Sequence, residues 1–316
     1  MFAANDHQLN AEEKNISIED RLVACLIGGA IGDAWGSAFE NQPKVDNRKT
    51  FYWAPPKEPI REWAFTDDTQ LTMATCEALL ENKMVSPEIL ARYFVKYYRQ
   101  RRLSGLGAST LKAIRELEAG VHWSQVGRSG EYAAGNGAAM RIAPFAFQTN
   151  LSREDLRQLC RITHRNEEAY VGALAVVLAI RAAIAGTWDG SNNLLEIIIP
   201  QLPDTLVRDR FITINERNAS IADIATLGTD GYVVNAIPFA IFAASRVKGG
   251  EDMYGMFQSV IEAGGDTDTN ASIAGQIAGA LVGMEGIPVD LIEKMTDLDD
   301  FDRLIEIVDR MRNYVS

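Results

Sequence analysis

Two short stretches, Thr66-Asp67-Asp68 and Asp266-Thr267-Asp268-Thr269, set doubled carboxylates beside threonine hydroxyls, with most of the chain between them. Hard oxygen donors of this kind suit Mg2+, Ca2+ or Mn2+, whereas zinc prefers the Cys and His absent from both stretches. Facing each other, they could hold two ions about 3.5–4 Å apart. The plainer alternative is that the threonines cap helices and the aspartates answer the exposed N–H groups and positive dipole of a first turn. Carboxylates doubled in both stretches point beyond capping.

Other residues carry weaker signals. Asp33, within Gly32-Asp33-Ala34-Trp35-Gly36, is a charge among small and apolar residues. Burial would be costly unless a cation, a donor or solvent meets it, so local backbone bonding and substrate contact both fit. Glu40 closes the same helical stretch, where an acid opposes the dipole, and either function or solvation accounts for it. Gly135-Asn136-Gly137 is a turn whose exposed N–H groups suit phosphate, and Ser104 to Thr110, with Gly105 and Gly107, is a second small-residue turn. His164, beside Arg165, either contacts substrate or caps the apolar helix that follows. His7, His122 and His164 share no metal-ligand spacing, which argues against a phosphohydrolase built on His and Asp. A magnesium-dependent isoprenoid cyclase would want a further Asp where Leu71 stands.

The elements that must position these residues are helical. From Ile18 to Glu40, Leu22, Leu26, Ala30 and Ala34 recur at four-residue steps, and Gly28, Gly32 and Gly36 form a ridge on another face. Gly275, Gly279 and Gly283 repeat that spacing after Asp266. A Gly inside a helix costs about 0.5–1 kcal/mol relative to Ala, so such ridges imply a close backbone approach. If the two ridges meet, Asp33 and Glu40 come alongside the Asp266 cluster. Thr66 is the expected N-cap of a helix through Leu79, and Ser86-Pro87 starts another.

Further helices are expected over 152–163, 167–184, 219–227, 232–246 and 253–263, with a terminal one from Phe301. A helix is also expected to follow the Gly135–Gly137 turn. Residues 204–218 read as less regular, and Ile212-Thr213-Ile214 could form a short extended piece. Residues 41–63, with Pro43, Pro55, Pro56 and Pro59, read as a long irregular loop, of a length that in compact domains is often a functional lid. Residues 1–17 read as a polar arm. No strand series, long linker or fixed-period repeat appears, so 18–316 reads as one all-α domain of a dozen or more helices.

Composition narrows the function classes. The 316 residues are 47% hydrophobic and carry a formal net charge of −12, which argues against a surface that tracks nucleic-acid phosphates. The start lacks the order of a signal peptide and no apolar run reaches ~18 residues, so a soluble, cytoplasmic protein without membrane contact is expected. Cys25, Cys76 and Cys160 are expected as small core residues.

Gly32-Asp33-Ala34 with Glu40, Phe65-Thr66-Asp67-Asp68-Thr69, Gly135-Asn136-Gly137-Ala138-Ala139-Met140-Arg141, Thr163-His164 and Gly264-Gly265-Asp266-Thr267-Asp268-Thr269, in this order, resemble the ADP-ribosylglycohydrolase family. The resemblance implies a single compact, orthogonal multi-helix all-α domain with a binuclear metal site in a cleft, holding two Mg2+ or Mn2+. It implies Thr66, Asp67, Asp68, Asp266, Asp268 and Thr269 as metal ligands, and Glu40, Asp67 and Asp268 as the catalytic group. Asp33 would support that region, Gly135, Asn136 and Gly137 would hold the diphosphate with Gly105 and Gly107 as a second candidate, and His164 would lie beside the distal ribose or phosphate. The partner it implies is an ADP-ribosylated protein, modified on arginine by analogy, with serine or ester linkages open. A different class of reading is an immunity-type protein that occludes an ADP-ribosylating toxin, with the N-terminal arm and acidic surface as contact elements.

Overall fold

Ser17 opens the first helix, α1 (Ile18–Ser37), by accepting from the Asp20 N–H at 3.1 Å. The computed structural model describes residues 16–40, 62–82, 85–217 and 219–315. The long loop over 41–63 therefore lies outside the described residues up to 61, as does the polar arm up to 15. Thr66 caps α2 (Asp67–Glu81), and Ser86-Pro87 opens α3 (Pro87–Arg99). The small-residue turn leads into α4 (Ala108–Glu118). A two-residue parallel pair, β1 (Arg128–Ser129) against β2 (His164–Arg165), flanks α5 (Arg153–Arg161). Then come α6 (Glu167–Ile184), α7 (Leu194–Ile198), α8 (Leu206–Asn215), α9 (Ile221–Ala225), α10 (Val233–Ser245), α11 (Met253–Ala263), α12 (Thr267–Val282), α13 (Val289–Glu293) and α14 (Phe301–Val315). Among the described residues the fold is all-α apart from that pair, with one continuous apolar core.

The two glycine ridges meet. α1 and α12 form the most extensive helix pair in the molecule. A Cβ on Gly28, Gly32 or Gly36 would collide with the backbone of Gly275, Ala271 or Thr267, and one on Gly275 or Gly279 with the carbonyls of Gly28 or Ala24. Backbone rests on backbone along the seam, so no side chain larger than hydrogen fits there. The Arg21 guanidinium fastens one end, donating to the Ala280 carbonyl at 2.6 Å and to Leu281 at 3.2 Å, two of the carbonyls that a helix end leaves open. Around the seam pack α6, α10, α11 and α14. α6 is buried on nearly every face, as its apolar sequence requires.

Three expectations need correction, and two short helices lie outside the expected set. Gly283 does not extend the ridge. It ends α12 with φ +67°, a left-handed conformation that glycine adopts without strain. Ile212-Thr213-Ile214 is helical within α8, where Phe211 and Ile214 face the core and Thr205 caps the start. The Gly135–Gly137 turn feeds two short 3-10 segments, Asn136–Ala138 and Ala143–Phe147, because Pro144 removes a backbone donor and fixes its φ. The five-residue helices α7 and α13 are too short to show a helical period in sequence. Cys25, Cys76 and Cys160 are free and buried.

Candidate metal centre and cleft

The start of α2 is assembled by a residue on another helix. Asp33 of α1 is wholly buried and accepts from the Thr66 N–H at 3.0 Å, the Thr66 hydroxyl at 2.6 Å and the Thr69 N–H at 3.1 Å, and also from the Thr69 hydroxyl. These four donors hold a charge that burial would otherwise make costly, and two of them are N–H groups that the first turn of α2 leaves open. Asp33 thereby ties α1 to the end of α2 that carries Asp67 and Asp68. Gln70 ties in the second glycine turn. Its side-chain NH2 donates to Ser104 Oγ at 2.9 Å and to the Phe65 carbonyl at 3.1 Å, and its carbonyl oxygen accepts from the Ser104 N–H at 2.8 Å. The same turn lies against Asp67: a Cβ on Gly105 would sit 3.3 Å from its Oδ1.

From the other side, the start of α12 arrives on the glycine seam. Thr267 donates its hydroxyl to the Gly36 carbonyl at 2.8 Å, and Thr269 donates to Asp68 Oδ2 at 3.1 Å across the centre. Asn136 reaches over from the Gly135–Gly137 turn and donates to Asp266 Oδ2 at 2.8 Å. Carboxylate oxygens of Asp33, Asp68 and Asp268 lie within 4.8 Å of one another, and so do those of Glu40, Asp266 and Asp268. Asp268 belongs to both sets.

Crowding on this scale shifts protonation. Burial, with the nearby charge of Asp33 next, pushes Asp67 up to about 7. Burial and Asp33 raise Asp68 well above the usual carboxylate range, and burial, then the hydrogen bond and charge shared with Asp266, push Asp268 up to about 10. Asp68 Oδ1 is buried without a hydrogen-bond partner. The donor set is all oxygen, negative, convergent and partly unsatisfied, which fits divalent cations of the Mg2+ type.

The centre floors a cleft of about 670 Å3 whose lining includes Glu40, Asp67, Asp68, Asp266, Asp268 and Thr269, together with Gly105, Gly107, Gly135, Asn136, Gly137 and His164. Asp33 is not part of that lining and orders the first turn of α2 from behind, while Thr66, whose hydroxyl donates to Asp33, adjoins the lining residue Gly105, on which a Cβ would sit 3.6 Å from Thr66 Cβ. His164 lies on β2, and the cap of α6 is Asn166, whose side chain accepts from the Ala169 N–H at 3.2 Å. Sequence reasoning gave no task to Gln70, Thr163 or Arg141. The clue to Arg141 was a lone arginine in the apolar run Ala138 to Pro144.

The ADP-ribosylglycohydrolase pattern matches residues 14–315. The chain belongs to the ADP-ribosylglycohydrolase family. An uncharacterized protein of Archaeoglobus fulgidus is 29% identical over 277 residues, covering 83% of this chain and 88% of that one. The ADP-ribosylhydrolase ARH3 of Homo sapiens is 24% identical, covering 92% and 93% of the two chains. The ADP-ribosylarginine hydrolase Tri1 of Pseudomonas putida is 26% identical, covering 92% and 78%. A solved structure, an ADP-ribosylglycohydrolase-related protein complex, superposes with a TM-score of 0.72 at 23% identity over 94% of this chain, and so shares the fold. Family membership supports a hydrolase acting on ADP-ribosylated substrates. Among the described residues no helix is long and apolar enough to cross a membrane.

Proposed function

We propose that this protein is a divalent-cation-dependent hydrolase that removes ADP-ribose from a protein side chain, with arginine as the acceptor. The observation that carries the proposal is the meeting of the Asp67-Asp68 and Asp266-Asp268 pairs at the floor of one cleft, where the Thr269 hydroxyl bonds Asp68 across the two. Thr66, Asp67, Asp68, Asp266, Asp268 and Thr269 would hold two Mg2+, or Mn2+, and Asp33 would order the first three from behind. Bound there, the cations would supply positive charge that draws in ribose hydroxyls and offsets negative charge at the reacting centre.

The chain's own residues supply the rest. The N–H groups of Gly135 and Gly137, with that of Gly105 as a second candidate, would receive the diphosphate, while Asn136, whose own N–H donates to the Gly231 carbonyl, is held in position by its side-chain bond to Asp266. Glu40, at the edge of the carboxylate cluster, takes the proton of the attacking water, while Asp67 and Asp268 hold the cluster's charge. The C–N bond from the anomeric carbon to the guanidino group breaks through an oxocarbenium-like state, and the departing guanidine receives the proton.

The arginine assignment rests on likeness to the Pseudomonas putida relative, whose name states that linkage. Incubation with Mg2+ and matched arginine-linked and serine-linked ADP-ribosyl peptides tests it. Release of ADP-ribose from the arginine peptide is expected; release from the serine peptide alone would replace arginine as the acceptor.

A further inference from the structure

Arg141 and Thr163 have no part in the chemistry above, yet they form a chain that ends at the cleft. Arg141 is wholly buried, its guanidinium 4.7 Å from the centre of the Phe94 ring, and among the described residues no carboxylate pairs with it. Burial lowers its pKa to about 10, so it remains a cation at neutral pH. Its Nη2 donates to the Leu159 carbonyl at 3.3 Å and to Thr163 Oγ1 at 2.9 Å, while Nε and Nη1 have no hydrogen-bond partner. A buried cation held this way is an expensive arrangement if packing were its only purpose.

The direction of the Arg141–Thr163 bond is fixed by chemistry, and that of the next, from Thr163 to His164, follows from satisfying the buried hydroxyl. A guanidinium can only donate, so Thr163 accepts from Arg141. The Thr163 oxygen also lies 2.9 Å from His164 Nδ1, the one other partner it has among the described residues, so the buried hydroxyl hydrogen is satisfied only if Nδ1 accepts it. A ring nitrogen that accepts carries no proton, and the neutral ring then keeps its hydrogen on Nε2. That edge of the ring lies against the glycine turn: a Cβ on Gly135 would sit 3.2 Å from Nε2, and one on Gly137 would sit 2.9 Å from Cε1. Burial, with the Arg141 charge adding to it, pushes the His164 pKa down to about 3, so the ring is neutral at any working pH.

We infer that Arg141 and Thr163 are positioning residues that lock His164 in its Nε2–H tautomer and present it as a neutral donor to a phosphate oxygen seated on the Gly135–Gly137 turn. The buried charge behind the chain polarises each bond in the same direction and strengthens the terminal donor. The tautomer follows from this geometry alone, whereas the phosphate as its acceptor rests on the proposed function.

Long-range 1H–15N correlation spectra of the 15N-histidine-labelled full chain read the tautomer directly, with His7 and His122 assigned by substitution. His164 is expected to carry its proton on Nε2 in the wild type and in Thr163→Ser, which keeps the hydroxyl. In Thr163→Val the Nε2–H signal should give way to a mixture containing the Nδ1–H form. Calorimetric titration of ADP-ribose with Mg2+ present should show about a tenfold weaker Kd for Thr163→Val, about 1.4 kcal/mol, and an unchanged one for Thr163→Ser. A proton on Nδ1 in the wild type would overturn the inference, as would a folded Thr163→Val protein that keeps both the Nε2–H signal and the wild-type Kd. The wild-type spectrum decides the tautomer even if Thr163→Val fails to fold. A wild-type protein with the Nε2–H signal and no affinity for ADP-ribose would sink the functional reading and leave the positioning role standing.

Discussion

Along α1, the stretch from Ala24 to Gly36 meets the backbone of another helix, and one turn later Glu40 meets the carboxylates of Asp266 and Asp268. The first region is dry, apolar and tightly packed. The second gathers like charges that repel one another. Their adjacency is informative, because the seam supplies the stiffness that keeps mutually repelling groups together. A functional centre of this kind lowers stability in the absence of its ligand, and a well-packed region elsewhere has to compensate. Substitutions in the two regions should therefore fail differently: in the cleft they should remove function while sparing stability, and in the seam the reverse.

The sharpest test on the cleft side is Asp268→Asn. Because Asp268 belongs to both carboxylate sets, we expect cation binding by calorimetry and turnover to vanish together, while the apo protein keeps or gains thermal stability as repulsion is relieved. An active, cation-free variant would sink the metal-centre assignment. Next in size, Glu40→Gln should lower kcat by about 10²–10⁴-fold, the range for loss of a general base, while cation binding, which Asp268→Asn abolishes, is weakened but kept.

A third prediction concerns pH. Asp67 at about 7 and Asp268 at about 10 hold their protons longer in the folded protein than in the unfolded chain. Between the ordinary carboxylate range and these values, the apo protein loses stability as pH rises, and a bound cation offsets the loss. One Mg2+ concentration, set at about a hundred times the Kd measured at pH 8, should raise Tm by about 4 °C at pH 8 and by much less at pH 5.5. Equal shifts at both pH values would break the link between the crowded carboxylates and the cation.

Smaller effects should come from single methyl groups. Gly32→Ala gains helix propensity, but its Cβ would strike the Ala271 carbonyl, and overpacking against backbone costs about 1–3 kcal/mol, which outweighs the gain. Chemical denaturation should show that loss. Gly107→Ala is the counterpart in the cleft: a Cβ there has nothing within 4 Å, so stability should move by less than about 0.5 kcal/mol. Equal destabilisation by the two variants would erase the distinction between seam and cleft.

Local signals carried much of this into view from sequence. The bounds of α6 and α11 follow from apolar periodicity and caps, and the cost of glycine in a helix points to a close backbone approach at each ridge without saying that the two meet each other. Less legible were features that exist only after distant segments meet. Asp33 could be recognised as needing donors, but not that Thr66 and Thr69 provide them from another helix. Gln70 resembles any polar residue on a helix until Ser104 stands beside it. The role of Thr163 depends on Arg141, twenty-two positions earlier in the chain. α7 and α13 give five residues each, less than two turns, and no periodicity can emerge from so few.

The seam also bears on how the protein is made. α1 ends at residue 37 and its partner α12 starts at residue 267, so on the ribosome a helix that is apolar on nearly every face waits for most of the chain to be synthesised. In the folded protein the backbone that covers its glycine ridge is that of α12. Closure of the seam is thus a late event with a high loop-closure cost, and nascent chains that stall before α12 should be clients for chaperones that bind exposed apolar helices.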